Sequence, residues 1–153
     1  MKASFALATV LLALGAPARA SAQSDLWSRE VRASIETMSA SLAEQGYRPR
    51  SDVLGGLLDA QEMAWLPIHL DRGGEHVIAA TCDRDCTQLG LVLANEGRYE
   101  IVANRGAGRA PILRFKTGAA GWYRLRVIME GCRVSPCRFG VRVFSRRAAG
   151  GAQ

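Results

Sequence analysis

The chain has 153 residues, a formal net charge of +6 and 48% hydrophobic residues, which suits one globular domain and excludes an intrinsically disordered chain. The charge is divided, because residues 23–96 hold 6 basic and 12 acidic side chains whereas residues 97–153 hold 12 basic and 2 acidic ones. Two oppositely charged halves can neutralise each other within one fold, so the net charge does not by itself indicate a nucleic acid partner.

The first 22 residues have the organisation of a secretory signal peptide. Lys2 precedes an apolar run over residues 3–15, which is followed by the small-x-small cleavage site Ala20-Ser21-Ala22. A site after Ala20 satisfies the same rule. The run is shorter than the roughly 20 residues of a membrane span, and no later segment is apolar enough to be one. We expect cleavage near Ala22 and a periplasmic or secreted protein.

An amphipathic helix is predicted over residues 25–45, within an N-terminal helix and connector segment at 23–60. Gly46 is the predicted helix stop. Apolar residues recur at spacings of four, four, three and four, which form one helical stripe of Trp27, Val31, Ile35, Met38 and Leu42. We expect this stripe to pack on its own domain; the alternative is a second molecule, which would make the protein a self-associating structural component of the envelope.

The remainder of the chain is predicted to be mainly β, an antiparallel sandwich or jelly roll over residues 61–147 followed by a flexible tail at 148–153. Short alternating segments separated by turns, without intervening helices, indicate this class. The predicted strands cover 63–70, 76–81, 89–93, 99–104, 112–116, 122–130 and 139–143. Pro67 places the first of them at a sheet edge. Residues 72–75 are predicted to be a hairpin turn between the first two, and 95–97 closes a second hairpin.

Four cysteines in an exported chain indicate disulfide bonds before metal binding. They form two close pairs, and three connectivities are possible. We favour Cys82 with Cys86 and Cys132 with Cys137, because each pair brackets a polar, turn-forming segment that brings its ends together. Each such bridge is worth about 2 kcal/mol.

Several of these segments together resemble a bacterial pre-peptidase C-terminal-like domain over roughly residues 60–147. The resemblance is carried by Cys82-Asp83-Arg84-Asp85-Cys86-Thr87-Gln88-Leu89-Gly90-Leu91, the turn at 95–97, the strand at 121–127, and Cys132 to Cys137 followed by Phe139-Gly140-Val141. It implies a secreted β-sandwich that acts as an accessory or binding module and is not catalytic. Similar proteins often have further acidic residues where this chain has Gln88 and Gly90, which weakens any metal role.

Neither a cofactor nor a catalytic site is predicted. Asp83 and Asp85 are weak calcium candidates, since two carboxylates fall short of the six to eight oxygen ligands of that ion and aspartates commonly cap turns. His69 and His76 are the two histidines, both expected at the surface, and the chain has no Gly-x-Ser-x-Gly elbow. The alternative to a non-enzyme is a small secreted hydrolase with an unrecognised site.

Arginines on the later strands are candidate anion-binding residues. We expect neighbouring strands to present them as one basic face, formed by Arg114, Arg124, Arg126, Arg138 and Arg142. Trp65, Trp122 and Tyr123 are candidates for a sugar-stacking platform, but alternation turns Tyr123 inward and leaves Trp122 the better exposed; the alternative is that these aromatics belong to the core. The partner of such a face would be an envelope polymer or another exported protein, and the alternative is a solvated surface without a ligand.

Overall fold

The computed structural model describes residues 18–106 and 108–146, which form one helix and nine strands. Most of the predicted signal peptide (residues 1–17) and the predicted tail (148–153) lie outside the described residues. The elements are α1 (Ala18–Glu44), β1 (Arg48–Pro49), β2 (Leu54–Leu58), β3 (Met63–Leu70), β4 (Glu75–Cys82), β5 (Cys86–Ala94), β6 (Glu100–Asn104), β7 (Ile112–Lys116), β8 (Gly121–Cys132) and β9 (Cys137–Arg146).

Two antiparallel sheets pack face to face, which confirms the predicted fold class. In the five-stranded sheet, β1 and β2 both pair with one edge of β9, β9 pairs with β4 on its other side, and β4 pairs with β7. The strands of the four-stranded sheet are ordered β3-β8-β5-β6. From β2 to β9, each strand is followed by a strand of the other sheet, except that β5 and β6 form a hairpin within one sheet. This strand order is that of a jelly roll. The strand β3 lies at a sheet edge, as Pro67 predicted.

The core between the sheets follows from alternation along the strands. Leu125, Val127 and Met129 of β8 are fully buried and turn inward, as predicted for this strand. They meet the inward residues of the partner strand β5, which are Leu89, Leu91 and Leu93. The opposite residues of both strands therefore belong to the outer face of the four-stranded sheet.

The helix α1 packs on the outer face of the five-stranded sheet, so its apolar stripe is used within its own domain. Val31, Ile35 and Leu42 are buried. Gly140 of β9 allows close contact, because a Cβ atom there would lie 2.6 Å from Cγ1 of Val31. The helix begins at Ala18, earlier than predicted, and residues 18–22 of the predicted signal peptide form its first turns.

Gly46 ends the helix, as predicted. Its φ is +84°, and the amides of Gly46 and Tyr47 donate to the carbonyls of Ala43 (3.0 Å) and Leu42 (3.0 Å). These two hydrogen bonds form a Schellman motif, which commonly brings an apolar contact with it. Tyr47 and Leu42 supply that contact in a second core between helix and sheet, together with Val77, Ala79 and Phe144.

Two local predictions are wrong. Residues 72–75 do not form a hairpin turn, because β3 and β4 belong to different sheets and this segment passes between them. His76 is not at the surface but 2% exposed, since β4 begins at Glu75 and alternation turns His76 inward. Its Nε2 lies 3.1 Å from both the Asp71 carbonyl and Thr117 Oγ1. His69 is exposed, as expected.

The predicted connector contains two strands, β1 and β2, that the sequence did not predict. The strand β2 pairs with β9 from Leu54, opposite Val141, to Leu58, opposite Cys137. Within the described ranges, no helix is long and apolar enough to cross a bilayer.

Candidate functional site

The cysteines form the favoured pairs, Cys82–Cys86 and Cys132–Cys137. Each bridge joins the end of a strand in one sheet to the start of a strand in the other, β4 to β5 and β8 to β9. Cys86 lies directly opposite Cys132 across the β5–β8 pair, so both bridges are at the same end of the sandwich. Together they hold the sheets at that end, and two disulfides are typical of an exported protein.

Asp83 stabilises the first bridged turn. Its side chain is 1% exposed, Oδ1 accepts hydrogen bonds from the amides of Asp85 and Cys86 (both 3.2 Å), and Oδ2 accepts one from the amide of Arg138 (2.6 Å). The carboxylate is thus occupied by backbone donors. Among the residues that the structure describes, no three His, Cys, Asp or Glu side chains come together as a metal site.

The structure divides the five candidate arginines between the two sheets, so the expectation of one basic face is wrong. The sequence does not show that β8 and β9, adjacent in the chain, belong to different sheets. Arg124 and Arg126 lie on the four-stranded sheet, whereas the other three lie on the five-stranded sheet that carries α1: Arg114, Arg138 and Arg142.

The arginines of the five-stranded sheet contact the helix and its connector. Arg142 bonds to Glu36 Oε1 (2.9 Å) and Ser39 Oγ (3.3 Å) of α1. Arg114 donates to Gln45 Oε1 (3.2 Å), and its guanidinium lies 5.7 Å from the Tyr47 ring centre. Arg138 lines a groove of about 220 Å³ between α1 and β2. Arg114 and Arg142 therefore help to attach α1.

Glu75 pairs with Arg146, which also donates a hydrogen bond to the Gln45 carbonyl (3.1 Å) just after α1. Hydrogen bonds from Arg146 and then Lys116 lower its pKa below the ordinary value of 4.5. A lowered pKa means that the charged form stabilises the fold above pH 4.5 and that this contribution is lost as pH falls through the lowered value.

We therefore expect Glu75→Gln to destabilise the protein at pH 7 and to do so less at pH 3, because the stability that a lowered pKa contributes declines as pH falls below 4.5. Urea unfolding at the two pH values measures this difference. Glu44→Gln, at an exposed glutamate without an ion pair among the described residues, is the control and should change little. An effect of Glu75→Gln that is at least as large at pH 3 would contradict the prediction.

The outer face of the four-stranded sheet differs from that of the helix-bearing sheet, because no helix of the described residues covers it. Strand register places Trp65 opposite Arg126, Pro67 opposite Arg124, and His69 opposite Trp122. We call this surface the tryptophan–arginine face; it consists of Trp65, His69, Arg98, Trp122, Arg124 and Arg126.

Two arginines stack on Trp65. The Arg98 guanidinium, from the β5–β6 turn, lies 5.7 Å from the ring centre, and that of Arg126 lies 5.4 Å from it. On its other side, Arg126 lies opposite Val92 of β5, a buried apolar residue (1% exposed) that offers the guanidinium no charged partner. Both guanidinium groups are therefore held in place by stacking rather than by an ion pair.

The three arginines of this face form no ion pair with any described residue. Arg124 is exposed and also without a hydrogen-bond partner in the described ranges, and Arg126 Nε is buried and unpartnered. Of the nearby carboxylates, Glu100 pairs with Arg105, which lowers the Glu100 pKa, and the charge of Arg126 lowers it further; Glu130 accepts a hydrogen bond from Gln88 (2.6 Å). The face thus carries positive charge that Glu100 balances only at a distance.

One end of the face opens into a cleft of about 300 Å³, between the β5–β6 turn and the start of β8. Trp122, 57% exposed, forms one wall, and the edge of His69 packs against it at 5.3 Å between ring centres. The turn supplies Asn95, Glu96 and Gly97.

Sequence reasoning identified Trp65, Trp122, Arg124 and Arg126 but not Arg98. Arg98 lies in a turn with φ of +64°, where Asn95 Oδ1 accepts from the amide of Tyr99 (2.9 Å). The acidic turn sequence gives no sign that the guanidinium reaches another strand, because that contact depends on the positions of β3 and β5 in the sheet.

No family model and no curated protein matches this chain. Among solved structures it is similar to the mitogen YPM of Yersinia pseudotuberculosis, with 13% identity, a TM-score of 0.48, and coverage of 69% of this chain and 92% of that one. It is also similar to the carbohydrate binding module of lichenase 5A from Cellvibrio mixtus, solved with cellotriose, with 10% identity, a TM-score of 0.35, and coverage of 65% and 91%. Neither similarity bears on the function of this chain.

Proposed function

We propose that the protein is an exported, non-catalytic module that binds an anionic polymer of the cell envelope through the tryptophan–arginine face. The observation that carries the proposal is the contrast between the two sheets. Arg142 and Arg146 of the helix-bearing sheet form ion pairs within the fold, whereas Arg138 of that sheet forms none with a described residue. Arg98, Arg124 and Arg126 have no carboxylate partner among the described residues and lie beside two tryptophans.

Guanidinium groups suit this role because their planar donors match the oxygens of carboxylates, sulfates and phosphates. Stacking on Trp65 orients Arg98 and Arg126 before a ligand arrives, which reduces the conformational entropy lost on binding. Resemblance to pre-peptidase C-terminal-like domains also supports an accessory role rather than a catalytic one.

A hydrolase is the less supported alternative. Nucleophilic or acid–base catalysis needs an accessible base close to a second reactive group. His69 is exposed but packs on Trp122, whereas His76 is buried and its Nε2 contacts Asp71 and Thr117. The hydroxyl of Thr117 is buried with His76, so neither arrangement supplies an accessible nucleophile with a base.

The test is binding of the oxidised protein to lipopolysaccharide and to an acidic polysaccharide at low and raised salt. We expect binding that weakens with salt, since exposed charges are screened. Arg98→Ala/Arg124→Ala should weaken it at least about tenfold, because each charge-assisted contact is worth about 1 kcal/mol or more.

The matched control is Arg29→Ala/Arg48→Ala, which removes the same charge from exposed positions away from the tryptophan–arginine face. It should keep binding within about threefold of the unmodified protein. The proposal would be overturned if the protein bound neither polymer, or if the two double variants lost the same amount of affinity. Thermal unfolding checks that each variant is folded.

A further inference from the structure

We infer that the cleft beside Trp122 is a sugar-ring subsite, which makes the ligand an acidic polysaccharide rather than an anion without rings. This inference rests on the proposed function and assigns the chemical class of its ligand. The evidence for the sugar-ring subsite is the cleft beside Trp122, whereas the evidence for the proposed function is the set of arginines that are unpaired within the described residues.

The walls of the cleft combine an aromatic surface with small residues. Trp122 is the largest side chain there, while Ala119, Ala120 and Gly121 leave the opening unobstructed. At Gly121 φ is +152°, and no atom lies within 4 Å of a Cβ built there. A volume of about 300 Å³ is at the lower end of small-molecule sites and is suited to a single ring.

The cleft is held in shape without a ligand. Tyr123 donates a hydrogen bond from its hydroxyl to the Ala119 carbonyl (2.9 Å), which fixes the loop before β8. On the opposite wall, Asn95 accepts from the amide of Tyr99 and so orders the β5–β6 turn. The edge of His69 supports the indole of Trp122. A preformed site of this kind loses little entropy on binding.

The polar groups of the cleft match hydroxyl groups. The carboxylate of Glu96 accepts hydrogen bonds, and the Nδ2 group of Asn95 donates them; neither has a partner among the residues that the structure describes. A sugar ring offers both donors and acceptors at its edge and C–H groups on its face, which pack on an indole. The Glu96 charge disfavours a phosphate inside the cleft, and a uronate ring bound there would direct its carboxylate out of the cleft, towards Arg124.

Negative charge on the ligand is accommodated next to the cleft. Arg124 is two residues beyond Trp122 on the same face of β8, about 7 Å along the strand. A polymer with one ring against Trp122 therefore places acidic groups of adjoining rings near Arg124 and then Arg98. Tyr99, 76% exposed, adds a second aromatic surface beside Gly97 of the cleft.

The experiment compares three polymers that separate ring from charge: polygalacturonate has both, polyphosphate has charge only, and dextran has rings only. We expect polygalacturonate to bind at least about tenfold more tightly than either of the others. Trp122→Ala should reduce polygalacturonate binding about tenfold and leave polyphosphate binding within twofold. Trp122→Phe should restore most of the affinity, because it keeps an aromatic ring.

The matched control is Val134→Ala, which truncates a similarly exposed apolar side chain (59%) at the disulfide end. Equal binding of polygalacturonate and polyphosphate, both unaffected by Trp122→Ala, would overturn the inference and leave the proposed function intact. Binding of dextran as tight as polygalacturonate would overturn the proposed role of charge. Binding of none of the three would overturn both.

Discussion

Replacing all four cysteines with alanine should lower the free energy of unfolding by about 4 kcal/mol, or about 2 kcal/mol for each bridge. The loops are short, of four and five residues in sequence separation, so each bridge removes only a modest chain entropy from the unfolded state. A loss of about 4 kcal/mol is nonetheless large beside the 5–15 kcal/mol that stabilises a typical domain.

Position in the fold makes these bridges important, because each one joins the two sheets at the same end of the sandwich. Urea unfolding of the paired variants Cys82→Ala/Cys86→Ala and Cys132→Ala/Cys137→Ala measures the two contributions separately. Alanine is used because Cys82, Cys86 and Cys137 are buried, and a serine hydroxyl there would lack a partner.

Two controls accompany this experiment. Val134→Ala, inside the second bridged segment, should change stability by less than about 0.5 kcal/mol. Reduction of the unmodified protein should reproduce the quadruple variant, since it breaks the same bonds without changing the sequence. A quadruple variant as stable as the unmodified protein would show that core packing alone holds the sheets together.

The sequence predicts much of this fold where signals are local. Alternation along β8 identified its inward residues, and the spacing of Val31, Ile35 and Leu42 identified the buried helix stripe. The strand β2 was missed because its glycines indicate a loop. They are needed for close contact instead: a Cβ on Gly55 would lie 2.7 Å from the Phe139 carbonyl oxygen.

The candidate site was only partly predictable, because it depends on which strands become neighbours. Arg124 and Arg142 lie on consecutive strands, and nothing local to either shows that the chain changes sheets between them. Arg98 and Trp65 meet across 33 positions of sequence, through strands that are not adjacent in the chain. Such long-range pairings are fixed by the topology of the whole sandwich.

Replacing Ile35 with alanine should lower the free energy of unfolding by about 2–5 kcal/mol, since its side chain is fully buried between α1 and the five-stranded sheet. The cost depends on how far the helix can settle into the space left behind. Val31 is already in close contact with the sheet at Gly140, so the helix has little room to settle. We therefore expect a value nearer the upper end, measured by urea unfolding.

Thr37→Ala on the exposed side of α1 is the matched control and should change stability by less than about 0.5 kcal/mol. A similarly small change for Ile35→Ala would show that the helix contributes little to the domain. Because α1 covers the sheet opposite the tryptophan–arginine face, folded Ile35→Ala protein should keep its affinity for polygalacturonate within about twofold. The variant thus separates the stability that the helix provides from the surface that we propose binds the ligand.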